Sequence, residues 1–191
     1  MKVIIGLGNP EKKYLNTYHN LGFMAADVLC EGLGFEYRSK SALRCYLAQG
    51  VVDGEKVIIV KPTTYMNLSG ECVRLVKNYF SVENKDILVI YDDLDIEIGA
   101  LRVRPYGSPG THNGMRNISL NLKSDDFPRV RIGTKPKNNL IPIIDYVLSK
   151  INEDEYDSLN KAISGAAACA RDFIKGHTFD DLMQKYNRRP E

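Results

Sequence analysis

The chain has 191 residues, 43% of them hydrophobic and 26% charged, with a formal net charge of +2. That length suits one domain with a sizeable core, and no apolar run approaches the ~20 residues of a membrane-spanning helix. The chain starts directly with a strand pattern, so no secretory leader is expected.

The elements are read in chain order. Val3–Leu7 is β-branched and apolar and predicts a short buried strand. Leu21, Met24, Ala25, Val28 and Leu29 repeat at helical spacing, and the helix should stop near Gly32 and Gly34. Two strands follow, about 44–52 and 56–61, joined by a hairpin at Asp53-Gly54. Pro62 ends the second. Leu68, Cys72, Leu75, Val76 and Tyr79 form the next helical stripe. Strands are expected at Ile87–Tyr91, Leu101–Pro105 and Val130–Gly133. "YGSPGTHNG" reads as a loop, with a helix after it through Met115, Ile118 and Leu122. Helices are expected at about 142–148, 154–175 and 179–186, the last opened by a capping box of Thr178 and Asp181. Strands alternate with helices without a long linker. This predicts a single three-layer α/β domain over residues 1–191, a mixed, mostly parallel twisted sheet with helices on both faces.

The four cysteines, Cys30, Cys45, Cys72 and Cys169, contain no C-x-x-C. Three lie in apolar helical stretches, so buried free thiols and a reducing, cytoplasmic setting are expected. Charge is uneven. Residues 100–137 carry eight basic groups against two acidic ones, so this segment is +6 and the remainder −4. Such a local field suits a polyanionic partner, or a merely solvated face.

The opening "KVIIGLGNPEKKY" resembles a dinucleotide fingerprint, but Glu11 stands where the third glycine belongs and Pro10 spoils the helix start. That weakens the dehydrogenase alternative and leaves Asn9 to be explained. In open α/β sheets, ligands bind beyond the carboxyl ends of strands. Asn9, Asn67, Asp92, Asp93, His112 and Asn113 all fall there, with His19 at the start of the first helix on the same edge. A histidine with a carboxylate suits a general base and its orienting partner. Singly, each residue could be a cap or a turn former. Metal catalysis lacks paired-ligand spacing on a helix, a serine nucleophile lacks its G-x-S-x-G elbow, and no phosphate-binding G-x-x-x-x-G-K loop is present.

Taken in order, "GLGNP" at 6–10, Tyr14, "TYHNLG" at 17–22, "KPTTYMNLSG" at 61–70, "YDDLDIEIG" at 91–99, "THNGMRNI" at 111–118 and "FPRVRIG" at 127–133 resemble the bacterial peptidyl-tRNA hydrolase family. The resemblance implies a monomeric, cytosolic hydrolase that needs no metal or other cofactor. Its substrate would be peptidyl-tRNA, cut at the ester between the peptide and the terminal ribose. By the same resemblance His19 activates water and Asp92 orients it. Asn9 and Asn67 hold the substrate, Asn113 positions water or peptide, and Tyr14, Met66 and His112 line the cleft. Arg104 and Arg131 would clamp tRNA phosphates, with Arg102 and Arg129 beside them. The chain departs from the family pattern at Glu11, Tyr18, the 106–111 loop and Thr134-Lys135. The altered loop motivates one alternative, a homologue that binds RNA without cleaving it.

Overall fold

The run Val3–Ile5 is fully buried and forms the centre of β1 (Lys2–Gly6) in a computed structural model describing residues 1–137 and 141–187. Around it assemble β2 (Arg38–Lys40), β3 (Cys45–Val52), β4 (Glu55–Pro62), β5 (Ile87–Asp93), β6 (Leu101–Arg104) and β7 (Arg129–Gly133). The order across the sheet is β2-β3-β4-β1-β5-β7-β6. The central strands β4, β1, β5 and β7 pair in parallel, while β2–β3, β3–β4 and β6–β7 are antiparallel. By pairings the sheet is evenly mixed; the expected parallel character belongs to its core. Strands buried on both faces read as unbroken apolar runs, which is why β1 and β5 stood out in the sequence.

The β3–β4 turn has Asp53 at φ +50° and Gly54 at φ +82°. Positive φ at both central residues is what the tightest hairpin demands, and the Asp-Gly pair supplies it cheaply. One face of the sheet is covered by α1 (Leu21–Gly32), α5 (Tyr156–Ile174) and α6 (Phe179–Tyr186), the other by α2 (Ser69–Phe80) and α3 (Asn113–Leu122). These are the expected three layers. A short α4 (Ile143–Leu148) lies over the strand ends.

The close seat of α1 fixes the site. A Cβ on Gly22 would meet the Ile90 carbonyl oxygen at 2.3 Å and the Leu7 backbone nitrogen at 2.5 Å. One on Gly6 would meet the Gly22 carbonyl oxygen at 2.2 Å. Helix and strand backbones therefore touch, and Phe23 N–H donates to the Leu7 carbonyl at 3.0 Å. This brings the turn Tyr18–Asn20, which precedes α1, against the end of β5.

Three expectations shift. The edge strand β2 has no apolar alternation to betray it, since all three residues are exposed. The buried face of α2 runs through Ser69, Cys72, Val73 and Val76, leaving Leu68 and Tyr79 outside. The helix expected from residue 154 is preceded by a tighter turn, Glu153–Glu155, and begins at Tyr156. The last helix opens as expected, with Thr178 Oγ1 accepting from the Asp181 N–H at 3.2 Å. All four cysteines are buried and free.

Candidate active site

A cleft of about 760 Å³ opens where β1, β4 and β5 end. Asn9 is buried in its floor, because the backbone of residue 9 is clamped at two points. Its N–H donates to Asn20 Oδ1 at 2.8 Å, and its carbonyl accepts from Asn20 Nδ2 at 3.0 Å. The Asn9 side chain accepts from Met66 N–H through Oδ1 at 2.9 Å. With Oδ1 committed, the amide Nδ2 is left to donate into the cleft. Asn20 was not singled out in the sequence, although it directly follows His19. A buried amide that replaces two strand-like hydrogen bonds leaves no periodic trace.

Asp92, the last residue but one of β5, is 1% exposed and receives two histidines. His19 Nδ1 lies 2.9 Å from both of its carboxylate oxygens. His112 Nε2 lies 3.1 Å from Oδ1. The tautomers follow from the partners. His112 is the N-cap of α3, and its Nδ1 accepts from the Met115 N–H at 3.2 Å. That nitrogen carries no hydrogen, so Nε2–H donates to Asp92. His19 Nδ1–H donates likewise, which leaves the Nε2 lone pair of His19 as its free basic position. The two rings lie 5.0 Å apart, and Tyr91 meets His112 edge-on at 4.9 Å.

Burial alone would raise the Asp92 carboxyl, but His19 and His112 beside it hold it well below the usual carboxylate range. Burial of the His19 ring works against its charged form. The Asp92 carboxylate outweighs that, and the imidazole sits above its ordinary 6.5. The arrangement makes a base with a fixed tautomer and a permanently ionised partner.

The cleft wall also holds Tyr14, His19, Met66, Asn67, His112 and Asn113. Asn67 sits in the turn Met66–Leu68 and Asn113 in the first turn of α3, both exposed. Opposite them, Ile143 and Ile144 of α4 supply an apolar wall that the sequence reading did not identify.

The four arginines form a square on one sheet face, with Arg102 paired in register to Arg131 and Arg104 to Arg129. Their environments differ. Arg104 is exposed on the cleft wall, and Arg131 shares the wall while its Nε holds Asp93 Oδ2 at 2.7 Å. Arg102 lies outside the cleft wall, one of its Nη atoms on the Leu101 carbonyl. Arg129 departs from expectation. It is 1% exposed, stacked 4.3 Å over the Phe127 ring, and donates to the carbonyls of Ser108, Asp125 and Phe127. It lines the cleft, but four of its five N–H groups are given to main-chain carbonyls, so its guanidinium mainly holds a loop.

The family departures have local partners. Glu11 accepts from Tyr65 and pairs with Lys13 at 2.9 Å. Tyr18 donates to the buried Glu155 at 2.5 Å and stacks on Tyr146 at 4.5 Å. No helix among the described residues is long and apolar enough to cross a membrane.

A sequence profile described as peptidyl-tRNA hydrolase matches residues 3–191. A peptidyl-tRNA hydrolase of an Exiguobacterium species is 42% identical over 98% of this chain and 100% of its own length. That of Bacillus subtilis is 41% identical over 99% of this chain and 100% of its own. The crystal structure of the Acinetobacter baumannii peptidyl-tRNA hydrolase superimposes with a TM-score of 0.92 at 29% identity, covering 100% of this chain and 96% of that one. On fold, site and sequence together, the chain belongs to the peptidyl-tRNA hydrolase family.

Proposed function

We propose that the chain hydrolyses the ester linking a peptide, or an N-blocked aminoacyl group, to the 3′-terminal ribose of tRNA, releasing tRNA for reuse after a ribosome has stalled. The observation that carries this is the single buried carboxylate that receives both histidines and leaves His19 Nε2 as a base. A water hydrogen-bonded to that nitrogen gives up its proton as its oxygen attacks the ester carbonyl. Charge moves to the carbonyl oxygen. The amide hydrogens of Asn9 and Asn113 are suited to receive that oxyanion, and Asn67 to hold the substrate beside it. The intermediate collapses, the ribose oxygen leaves, and the imidazolium returns the proton to it. A positioned base contributes about 10²–10⁴-fold and a fixed oxyanion donor about 10²–10³-fold. A ribose alkoxide leaves far more easily than the unprotonated nitrogen anion of a peptide bond, so these terms suffice.

Arg104 and Arg131 are the phosphate-binding pair, and Arg129 is withdrawn from that role. The reading is of a monomer, and a tRNA substrate suits work in the cytoplasm. His19, Asp92 and His112 also offer ligand atoms within 4.8 Å of one another, which favours a second reading, a bound divalent cation. One assay separates the two: release of tRNA from an N-blocked aminoacyl-tRNA in EDTA, wild type beside His19→Ala. Cleavage by wild type alone supports the metal-free base. Loss of wild-type activity in EDTA, restored by a divalent cation, would favour the metal.

A further inference from the structure

Tyr106 is 65% exposed on the cleft wall, two residues beyond Arg104. Among the described residues its ring stacks on no aromatic group and no cation lies over it. A single exposed aromatic is ordinary on a protein surface. This one is set on a loop held firmly from several sides. Gly107 N–H donates to the Asp125 carbonyl at 3.2 Å. Arg129 Nη1 donates to the Ser108 carbonyl at 3.2 Å, and Arg116 Nε to the Gly110 carbonyl at 2.8 Å. Pro105 and Pro109 fix φ on either side. The protein thus spends a buried arginine and two prolines to hold an open aromatic face at the mouth of a basic cleft.

The hydrolase reading above supplies the ligand that suits such a face. The 3′ end of tRNA is single-stranded, and its unstacked bases offer flat π-surfaces joined by phosphates. Proteins bind such strands by pairing cationic side chains for the backbone with aromatic rings for the bases. We propose that Tyr106 is a stacking platform for one unpaired base of the tRNA 3′ strand, with Arg104 taking an adjacent phosphate. The contact is made to a base face, so it is tolerant of base identity. It adds ground-state affinity and leaves the chemical step alone.

The test uses an N-blocked, chemically acylated minihelix with the natural 3′ end, and three variants each carrying one abasic residue in that end. Tyr106→Ala should lower kcat/KM on the intact substrate by roughly 5- to 150-fold, through KM. Tyr106→Phe should behave as wild type. One abasic substitution should cost wild type a similar factor and cost Tyr106→Ala nothing further. In parallel, a deacylated minihelix with 2-aminopurine at that position should be quenched by wild type and Tyr106→Phe, and not by Tyr106→Ala. Wild-type KM in Tyr106→Ala, or a deficit that persists on all three abasic substrates, would overturn the proposal; the latter would move the ring's contact to the peptide. Failure of wild type to cleave the intact substrate would instead sink the hydrolase reading, and the quenching arm would still decide for or against stacking.

Discussion

Replacing Asp92 by Asn removes one charge and almost no volume, so it isolates the electrostatics of the site. The outcome is set by His112. Its Nδ1 is occupied by the Met115 N–H, so its Nε2–H must donate, and it will hold the new amide with the carbonyl oxygen at the Oδ1 position. The NH2 group then falls at the Oδ2 position, 2.9 Å from His19 Nδ1. Two N–H groups cannot face each other there, and the acceptor at the Oδ1 position, also 2.9 Å from Nδ1, is already shared with the His112 donor. His19 relieves the conflict by moving its proton to Nε2 and accepting from the amide, which disarms the base. A wrong-tautomer histidine costs about 10⁴ in kcat, or roughly 5.4 kcal/mol of barrier. The carboxylate that holds the imidazole above 6.5 is also gone, while burial, which acts in the opposite direction, remains. Activity requires neutral His19, so wild-type kcat/KM should rise with pH through an inflection above 6.5. In Asp92→Asn the residual activity should inflect below it. The assay is tRNA release across pH 5 to 9 at constant ionic strength, with thermal unfolding as the control for folding. Wild-type kcat, or an inflection that does not move, would refute the reasoning.

Other perturbations follow from the same structure. His112→Ala should remove one donor to Asp92 and leave the Met115 N–H uncapped, costing about 0.5–2 kcal/mol of stability in denaturant titration. Gly22→Ala should destabilise by ~1–3 kcal/mol or more, since its Cβ meets the backbone of Ile90 in β5 and of Leu7 just beyond β1. It should also slow turnover, by shifting His19 from Asp92. Arg104→Ala with Arg131→Ala should flatten the dependence of log affinity for tRNA on log salt by roughly 0.7–0.9 for each phosphate that is no longer neutralised. Arg129→Ala should leave that slope unchanged and lower stability by on the order of 3 kcal/mol, because a buried guanidinium and its charged hydrogen bonds to Phe127 are lost.

Much of this was legible beforehand because the signals were local. β-branched runs gave β1 and β5, an Asp-Gly pair gave the hairpin, and Thr178 with an aspartate three residues on gave the start of α6. The polar residues after strand ends marked the cleft for the same reason, since topology places them there. What was hidden depends on where a side chain points once packed. Asn20 looks like any residue beside a histidine until it closes two bonds on Asn9. Arg129 looks like its neighbours until Phe127 and three carbonyls claim it. His112 read as cleft lining, whereas its cap to Met115 fixes which nitrogen reaches Asp92.

The grip of Arg129 on the loop from residue 105 to 111 has a wider consequence. The atom it holds there is the Ser108 main-chain carbonyl, tied through Arg129 to the carbonyls of Asp125 and Phe127, and every amino acid possesses such an atom. The contour of the loop is therefore specified in part from underneath, by a strand, and it needs particular residues only where Pro105 and Pro109 set φ and where Gly107 and Gly110 take it positive. Ser108, Pro109 and Thr111 can stand where glycines are frequent without redrawing that contour. The rim of the cleft is in effect a mount, its course pinned at a few main-chain points and its exposed side chains open to exchange.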